Sequence, residues 1–318
     1  MSEQPQNTVS LLKVLGELEQ QTLAEVRNLA TAALEADGNP PLSDQTLVAL
    51  GSEASDDSVI SLLAQSGRGA ESHISGIIVA IRDEGSGRWV VELVVHPADR
   101  GTGIGRQLLQ ALGGEIDLAQ INTWAHGDHE AARKLAESIG LSRVRELYRM
   151  RREGTDSLEE PVLQRGLSVR TFRVGEDESA WLEANARAFA HHPEQGSLSL
   201  ADLDARMNES WFDPSGFFLA FDPDERLVAY HWTKIHPASA DAVRPMGEVY
   251  VVGVVPEAQG LGLGRALTIT GINYLLEQGV DPVLLYVDAD NEPAVKLYRS
   301  LGFTLWDADI MYGPEQID

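Results

Sequence analysis

Three glycines at alternate positions, Gly260, Gly262 and Gly264, close the stretch Gly247-Glu-Val-Tyr-Val-Val-Gly-Val-Val-Pro256-Glu-Ala-Gln-Gly-Leu-Gly-Leu-Gly264. Its apolar, β-branched first half suits a buried strand, and the apolar periodicity that begins at Ala266 suits a helix. In a loop between the two, glycines remove the Cβ atoms. Backbone N–H groups can then turn inward, and the helix start adds partial positive charge, which makes a cradle for phosphate oxygens. A Walker loop would end in Gly-Lys-Ser/Thr, but Gly264 is followed by Arg265 and Ala266. A dinucleotide fingerprint would put its third glycine at Arg265. What remains is Gln259-x-x-Gly262-x-Gly264, either a phosphate loop of another kind or a structural turn.

The pattern occurs twice. Trp89-Val-Val-Glu-Leu-Val-Val-His-Pro97 runs into Arg100-x-x-Gly103-x-Gly105, so that Pro97 falls on Pro256 and the glycines coincide. Downstream, Ala131 to Leu141 reads as a helix and then Gly-Leu, as Ala294 to Phe303 reads as a helix and then Gly-Phe. Two copies of one domain fit the length of 318 residues.

The elements that must position these loops follow from periodicity and turn residues. Copy one reads as helices at Leu18–Leu34 and from Ser43, strands at Ser75–Arg82 and Trp89–Val95, and a helix to Leu112. A strand at Gln120–Ala125, a helix at Glu130–Ser138 and a strand at Val144–Arg151 follow. Copy two reads as a strand at Leu167–Val174, helices at Asp177–Ala190 and Ser199–Asn208, and strands at Phe217–Phe221, Leu227–Ile235 and Glu248–Val254. After its loop and helix come a strand at Val283–Asp288, a helix at Pro293–Ser300 and a strand at Phe303–Met311. The fold class is α/β, with a mixed, largely antiparallel sheet and flanking helices. The expected domains are residues 1–152 and 167–318. The polar stretch 153–166, with Pro161 and two glycines, reads as the linker. Residues 237–245 read as a loop.

Composition narrows the function classes. With 49 acidic against 25 basic side chains the formal charge is −24, which disfavours nucleic acid and anionic membranes as partners. Cysteine is absent, so there is no thiol nucleophile and no thiolate metal ligand. No leader and no run of about eighteen apolar residues is evident. The expectation is a monomeric cytoplasmic protein. The pair His191-His192 lacks a ligand partner at helical spacing and reads as a helix end, so no metal is expected.

The Gln/Arg-x-x-Gly-x-Gly loop, found twice, resembles the pyrophosphate loop of the GNAT superfamily of N-acetyltransferases. The segment Leu285-Tyr-Val-Asp-Ala-Asp-Asn-Glu-Pro-Ala-Val-Lys-Leu-Tyr-Arg-Ser-Leu-Gly-Phe303 resembles its downstream motif. The resemblance implies two tandem GNAT domains that use acetyl-CoA. In copy two the cofactor would be held by Val252, Gly253 and Val254, by Gln259, Gly260, Leu261, Gly262, Leu263, Gly264 and Arg265, and by Asn291, Glu292, Pro293, Ala294, Val295 and Lys296. A second site in copy one would comprise Leu93, Val94, Val95, Gly101, Thr102, Gly103, Ile104, Gly105 and Arg106. Acetyl transfer from a thioester expels a thiolate, and Tyr298, protonated at neutral pH, is the candidate acid. Its alternative is an aromatic that only packs the helix on the sheet. Glu248, at the head of its strand, is the candidate base, a ligand of the substrate ammonium, or a strand-end carboxylate without a role. Counted from the loops, Trp89 stands in place of Glu248. Ala136 stands opposite Tyr298 and His129 opposite Asn291, so copy one is expected to bind acetyl-CoA without catalysing.

From Leu18 to Tyr312 the chain is also similar to actinobacterial tandem-domain members of the superfamily, which acetylate the cysteinyl amine of a cysteine–glucosamine–inositol conjugate. That similarity implies substrate contacts at Asp37, Glu194, Lys234, Glu248 and Tyr286. The alternatives are another acceptor amine, such as an aminoglycoside or a peptide N-terminus, or a non-catalytic acyl-CoA sensor.

Overall fold

The computed structural model describes residues 9–51, 58–67, 72–83, 86–190, 193–238 and 244–315, and of residues 44, 193 and 194 only the backbone. In chain order the elements are β1 (Ser10–Leu15), α1 (Gln20–Asp37), α2 (Asp44–Gly51), β2 (Val59–Ser66), β3 (His73–Arg82), β4 (Trp89–Val95), α3 (Ile104–Leu112), β5 (Ile121–Ala125), α4 (Glu130–Ser138) and β6 (Ser142–Arg152). There follow β7 (Ser168–Thr171), α5 (Glu178–Ala188), α6 (Pro193–Gly196), α7 (Leu200–Met207), β8 (Phe217–Phe221), β9 (Leu227–His236) and β10 (Met246–Val254). The last four are α8 (Leu263–Glu277), β11 (Val283–Asp288), α9 (Glu292–Ser300) and β12 (Thr304–Gly313). Strands β1 and β2 lie where the sequence reading placed none.

The chain forms two compact units, residues 1–147 with 307–318, and residues 148–306. Unit 1 orders its strands β1-β2-β3-β4-β5 and completes the edge with the end of β12, which runs antiparallel to β5 through Ile310↔Ala125 and Tyr312↔Thr123. Unit 2 orders β7-β8-β9-β10-β11 and completes its edge with the end of β6. In each unit the first four strands form an antiparallel meander and the fifth joins parallel.

These units differ from the expected division at both ends. Residues 307–318 belong with unit 1 because Ile310 and Tyr312 pack in its core with Ile121 and Ala125. Residues 148–166 belong with unit 2, where Met150 packs with Leu285 and Val287. The stretch read as a free linker is tied down as well. Asn273 on α8 accepts from the Leu158 N–H at 2.8 Å and donates to the Leu158 carbonyl at 3.0 Å. Gln164 donates to the Leu261 carbonyl at 3.1 Å.

Unit 2 is centred on Trp181 of α5, fully buried edge-on to Phe217, Tyr230 and Trp232 at ring separations of 5.7, 5.5 and 5.7 Å. Such contacts contribute roughly 0.5–1.5 kcal/mol each beyond area burial, and they fix β8 and β9 as the backing for β10. His231, wholly buried on β9, contacts the Leu267 carbonyl through Nδ1 at 2.7 Å, and burial pushes its pKa down to about 4. Unit 1 carries the opposite case. His126 lies between Glu92 at 3.0 Å and Asp309 at 3.5 Å, and Asp309 also accepts from the Gly127 N–H at 3.0 Å. Burial opposes the charge, but the two carboxylates prevail and raise the His126 pKa to about 9. This cluster pins β12 to β5.

The folded form therefore holds a proton on His126 that an unfolded chain, titrating near 6.5, gives up. The stabilisation is complete below pH 6.5 and is lost as pH rises through about 9. His126→Gln should lower stability by about 2 kcal/mol at pH 6.5, seen as a fall of roughly 4–8 °C in melting temperature, and by clearly less above pH 9. An equal fall at both pH values, read by scanning calorimetry, would show that the cluster carries no net charge interaction.

Candidate active site

Strands β10 and β11 pair in parallel only from Gly247↔Val283 to Val249↔Leu285, and among the described residues no register pair follows. On its other edge β10 stays paired with β9, but the register shifts between Val249 and Val251, so that Tyr250 is a bulged residue. A bulge sharpens local twist and bends the strand, which turns Val251–Val254 away from β11. The two strands open into a V, and backbone groups of Val252, Gly253 and Val254 along the β11 side have no strand partner. Gly253 is required because the Tyr230 ring occupies the place of its Cβ, and Tyr230 is in turn held by Asn185 through a 2.6 Å bond from its hydroxyl.

At the end of β10, Pro256–Ala258 form a 3-10 turn and Gln259 is extended. Gly260 and Gly262 both have φ of +78°, and Gly262 is the N-cap of α8. This left-handed backbone favours glycine. Nothing lies within 4 Å of where a Cβ would stand on either residue, so the loop surface is open above a helix start whose first N–H groups lack intrahelical partners. These features fit a pyrophosphate. Arg265, next in the helix, donates from Nη1 to the Ser300 hydroxyl at 2.8 Å.

Two ionisable side chains flank the V. Glu248 is opposite Leu284 on β11 and Lys234 on β9, is largely buried, and meets His236 Nε2 at 2.6 Å. Tyr298 is on α9, in the core that holds Val249, Leu285 and Val287. Its ring meets Phe303 edge-on at 5.9 Å, and burial pushes its pKa up to about 12, so it holds its proton at neutral pH. Successive side chains on a strand point to opposite faces. Val249 shares the Tyr298 side, which puts Glu248 on the other.

Copy one repeats the frame. Strands β4 and β5 pair in parallel only over Trp89–Val91 and Ile121–Thr123. Pro97–Asp99 form the same 3-10 turn, and Arg100 has φ −65° and ψ 154° where Gln259 has −65° and 152°. Gly101 and Gly103 have φ of +77° and +91°. A cavity of about 610 Å³ is lined by Leu93, Val94, Val95, Gly101, Gly103, Ile104, Gly105 and Arg106, while Thr102 closes the turn through Asp99 at 2.6 Å. The side chains differ. Ala136, the seventh residue of α4, stands where Tyr298 is the seventh of α9. The β3–β4 register has no bulge, so counting from the parallel pairs makes Val90, opposite Asn122, the counterpart of Glu248. Counting from the loop gave Trp89; the one-residue bulge accounts for the difference.

The profile of the Acetyltransferase (GNAT) family matches residues 179–303. A mycothiol acetyltransferase of Paenarthrobacter aurescens is 49% identical, covering 98% of this chain and 97% of its own. One of Thermobispora bispora is 50% identical over 89% and 93%. The chain belongs to the mycothiol acetyltransferase family. Two solved structures share its fold: a GCN5-related N-acetyltransferase from Sphaerobacter thermophilus, at 23% identity and a TM-score of 0.70 over 95% of this chain and 94% of that one, and a tandem GNAT protein from the clavulanic acid biosynthesis pathway, at 17% and 0.71 over 97% and 100%.

Against that family background, the residues expected to touch substrate are dispersed in their surroundings. Lys234 lies with Nζ 4.9 Å from the Trp211 ring and 5.5 Å from that of Tyr250. Tyr286 is exposed on β11, just past the last parallel pair, under the Arg149 guanidinium at 5.8 Å. Asp37 belongs to unit 1 and receives both terminal nitrogens of Arg100 at 2.7 Å, which hold its carboxyl below the usual range. The Glu194 side chain and the pair His191-His192 lie outside the described residues. Asn291 caps α9, accepting from the Ala294 N–H at 3.2 Å, with Glu292, Pro293, Ala294, Val295 and Lys296 forming the first turns. Trp211 and Tyr250, which flank the Lys234 ammonium, and Arg206, whose Nε meets the Tyr250 hydroxyl at 3.2 Å, were given no role by the sequence reading. The cluster Glu92–His126–Asp309 was missed too, because it depends on β12 reaching β5.

The left-handed glycine at the start of α8 is directly testable. Gly262→Val forces a β-branched residue into this conformation and projects side-chain atoms over the loop. Affinity for CoA by isothermal titration calorimetry should fall more than about tenfold if this loop carries the phosphates, a loss of at least ~1.4 kcal/mol, with far-UV circular dichroism unchanged. Parental affinity would mean the loop does not carry phosphate.

Proposed function

We propose that this chain transfers the acetyl group of acetyl-CoA to the cysteinyl amine of 1D-myo-inositol 2-(L-cysteinylamino)-2-deoxy-α-D-glucopyranoside, giving mycothiol and CoA, and that unit 2 carries the reaction. The observation that carries the proposal is the 49% identity to a mycothiol acetyltransferase across 98% of the chain. The V between β10 and β11 and the open glycine loop support cofactor binding there.

Acetyl-CoA, when bound, supplies the acyl group already activated as a thioester. Val252, Gly253 and Val254 hold the pantetheine arm through the unpaired edge of β10, and the loop from Gln259 to Arg265 holds the pyrophosphate. Glu248 removes a proton from the acceptor ammonium. Tyr298, kept protonated by its burial, delivers a proton to the departing sulfur. Lys234, Tyr286, Glu194 and Asp37 supply donors and acceptors to the polyol and the ammonium. In copy one, Leu93–Val95 and Gly101–Arg106 hold a second acetyl-CoA that is not turned over, because that frame presents Ala136 and Val90 in place of the acid and base.

The deciding experiment is thiol release on the cysteinyl pseudodisaccharide, run beside an aminoglycoside and a peptide N-terminus; turnover only with the latter two would overturn the acceptor assignment. Tyr298→Phe keeps the ring packing and removes the proton donor. Its kcat should fall roughly ten- to a thousandfold, with unchanged melting. In the same calorimetric titration, Gly103→Val should reduce two CoA sites to one and leave most turnover, whereas loss of turnover in a folded Gly103→Val protein would place the productive site in copy one.

A further inference from the structure

Proton balance makes a demand that the acid and base alone do not meet. The acceptor amine arrives as R–NH₃⁺. As its nitrogen bonds to the acyl carbon and the carbon–sulfur bond breaks, the ammonium gives up two protons. One ends on the sulfur by way of Tyr298, and the other has to reach water in every turnover. Glu248, which collects it, has a side chain only 10% exposed. Its partner is His236, at the end of β9, whose Nε2 lies 2.6 Å from Glu248 Oε2 and whose side chain is 33% exposed.

We infer that His236 is the relay that empties Glu248 between turnovers. An imidazole is suited to this because it has two nitrogens that can exchange roles. Nε2 accepts the proton from the Glu248 carboxyl group, Nδ1 releases one to water, and exchange with solvent restores the starting tautomer. No oxidant or further reactant is needed. The other charged groups nearby are otherwise engaged. Lys234, on the same face of β9 and opposite Glu248, has its ammonium over Trp211 and Tyr250. Arg244, before β10, is 3.6 Å from Asp281. His236 acts through Glu248 and is a positioning residue, and the inference rests on Glu248 being the base.

The test compares kcat and KM for His236→Ala, His236→Gln and Glu248→Gln in thiol release with the cysteinyl pseudodisaccharide, with and without added imidazole. His236→Ala should lose roughly 10–100-fold in kcat with both KM values within about twofold of the parent, and imidazole should restore much of the rate. His236→Gln, which can still donate to the carboxylate but cannot relay a proton, should be as slow and not rescued. Parental kcat in His236→Gln, or a slow His236→Ala that imidazole leaves slow, would overturn the relay. If Glu248→Gln is inactive while both His236 variants are parental, the relay alone falls. If Glu248→Gln is parental, the base assignment falls with it.

Discussion

Parallel pairing that stops after three residues is the constraint on which each unit depends. A strand that leaves its neighbour exposes backbone groups that need partners, and such an edge persists only where the rest of the strand is fixed. In unit 2 that fixing comes from β9, which stays paired with β10 through Val254 across the register shift, and from the aromatic cluster behind it. The bulge at Tyr250 converts this support into curvature. Because Tyr230 fills the space beside Gly253, the bent strand is braced from the side opposite the opening.

The same frame in unit 1 shows how little of the chemistry resides in the backbone. Turn, extended residue and left-handed glycines recur in the same order, with Arg100 matching Gln259 and Gly101 matching Gly260 within a few degrees, yet the polar groups near the opening are arranged for stability. Glu92 accepts from the Ser43 N–H at 2.9 Å and from His126, and burial is overcome so that its carboxyl stays below the usual range. A carboxylate so engaged, beside a histidine that already holds its proton, makes a poor base. Unit 2 has a less engaged carboxylate at the position that Val90 takes in unit 1: Glu248 has His236 on one oxygen, and Tyr298 is held by packing. This contrast in side-chain engagement, on matching backbones, is the physical ground for assigning transfer to one copy.

Much of this was legible in the sequence, for reasons that differ by element. The strand–loop–helix units could be read because β-branched runs, alternating glycines and a helical period adjoin one another, and the helices α4 and α9 begin and end as their motifs suggest. Strand β1 was not legible because its side chains are mostly exposed and show no buried alternation. Strand β2 is nearly all buried, and its sequence Val-Ile-Ser-Leu-Leu-Ala-Gln-Ser does not alternate apolar with polar. The division into units was misplaced because repeats in sequence mark ancestry of segments, whereas compact units follow pairing, and β12 pairs with β5 across 180-odd residues of intervening chain. The bulge that shifts Glu248 by one position relative to copy one left no composition signal either, since Tyr250 is an ordinary strand residue.

The charge of the chain bears on what the two glycine loops can hold. A formal −24 raises a long-range barrier to a polyphosphate, so attraction has to arise at contact distances. Basic side chains near the two loops are partly committed elsewhere, Arg265 to Ser300 and Arg100 to Asp37 and the Val95 carbonyl at 3.1 Å. Each loop also offers directional donors: backbone N–H groups at the start of α3 and α8, oriented by left-handed glycines and backed by the helix dipole. Such donors act over one hydrogen-bond length and are little affected by distant charge. An acidic protein can hold an anionic ligand on such donors, provided glycines such as Gly103 and Gly262 keep the loop surface bare.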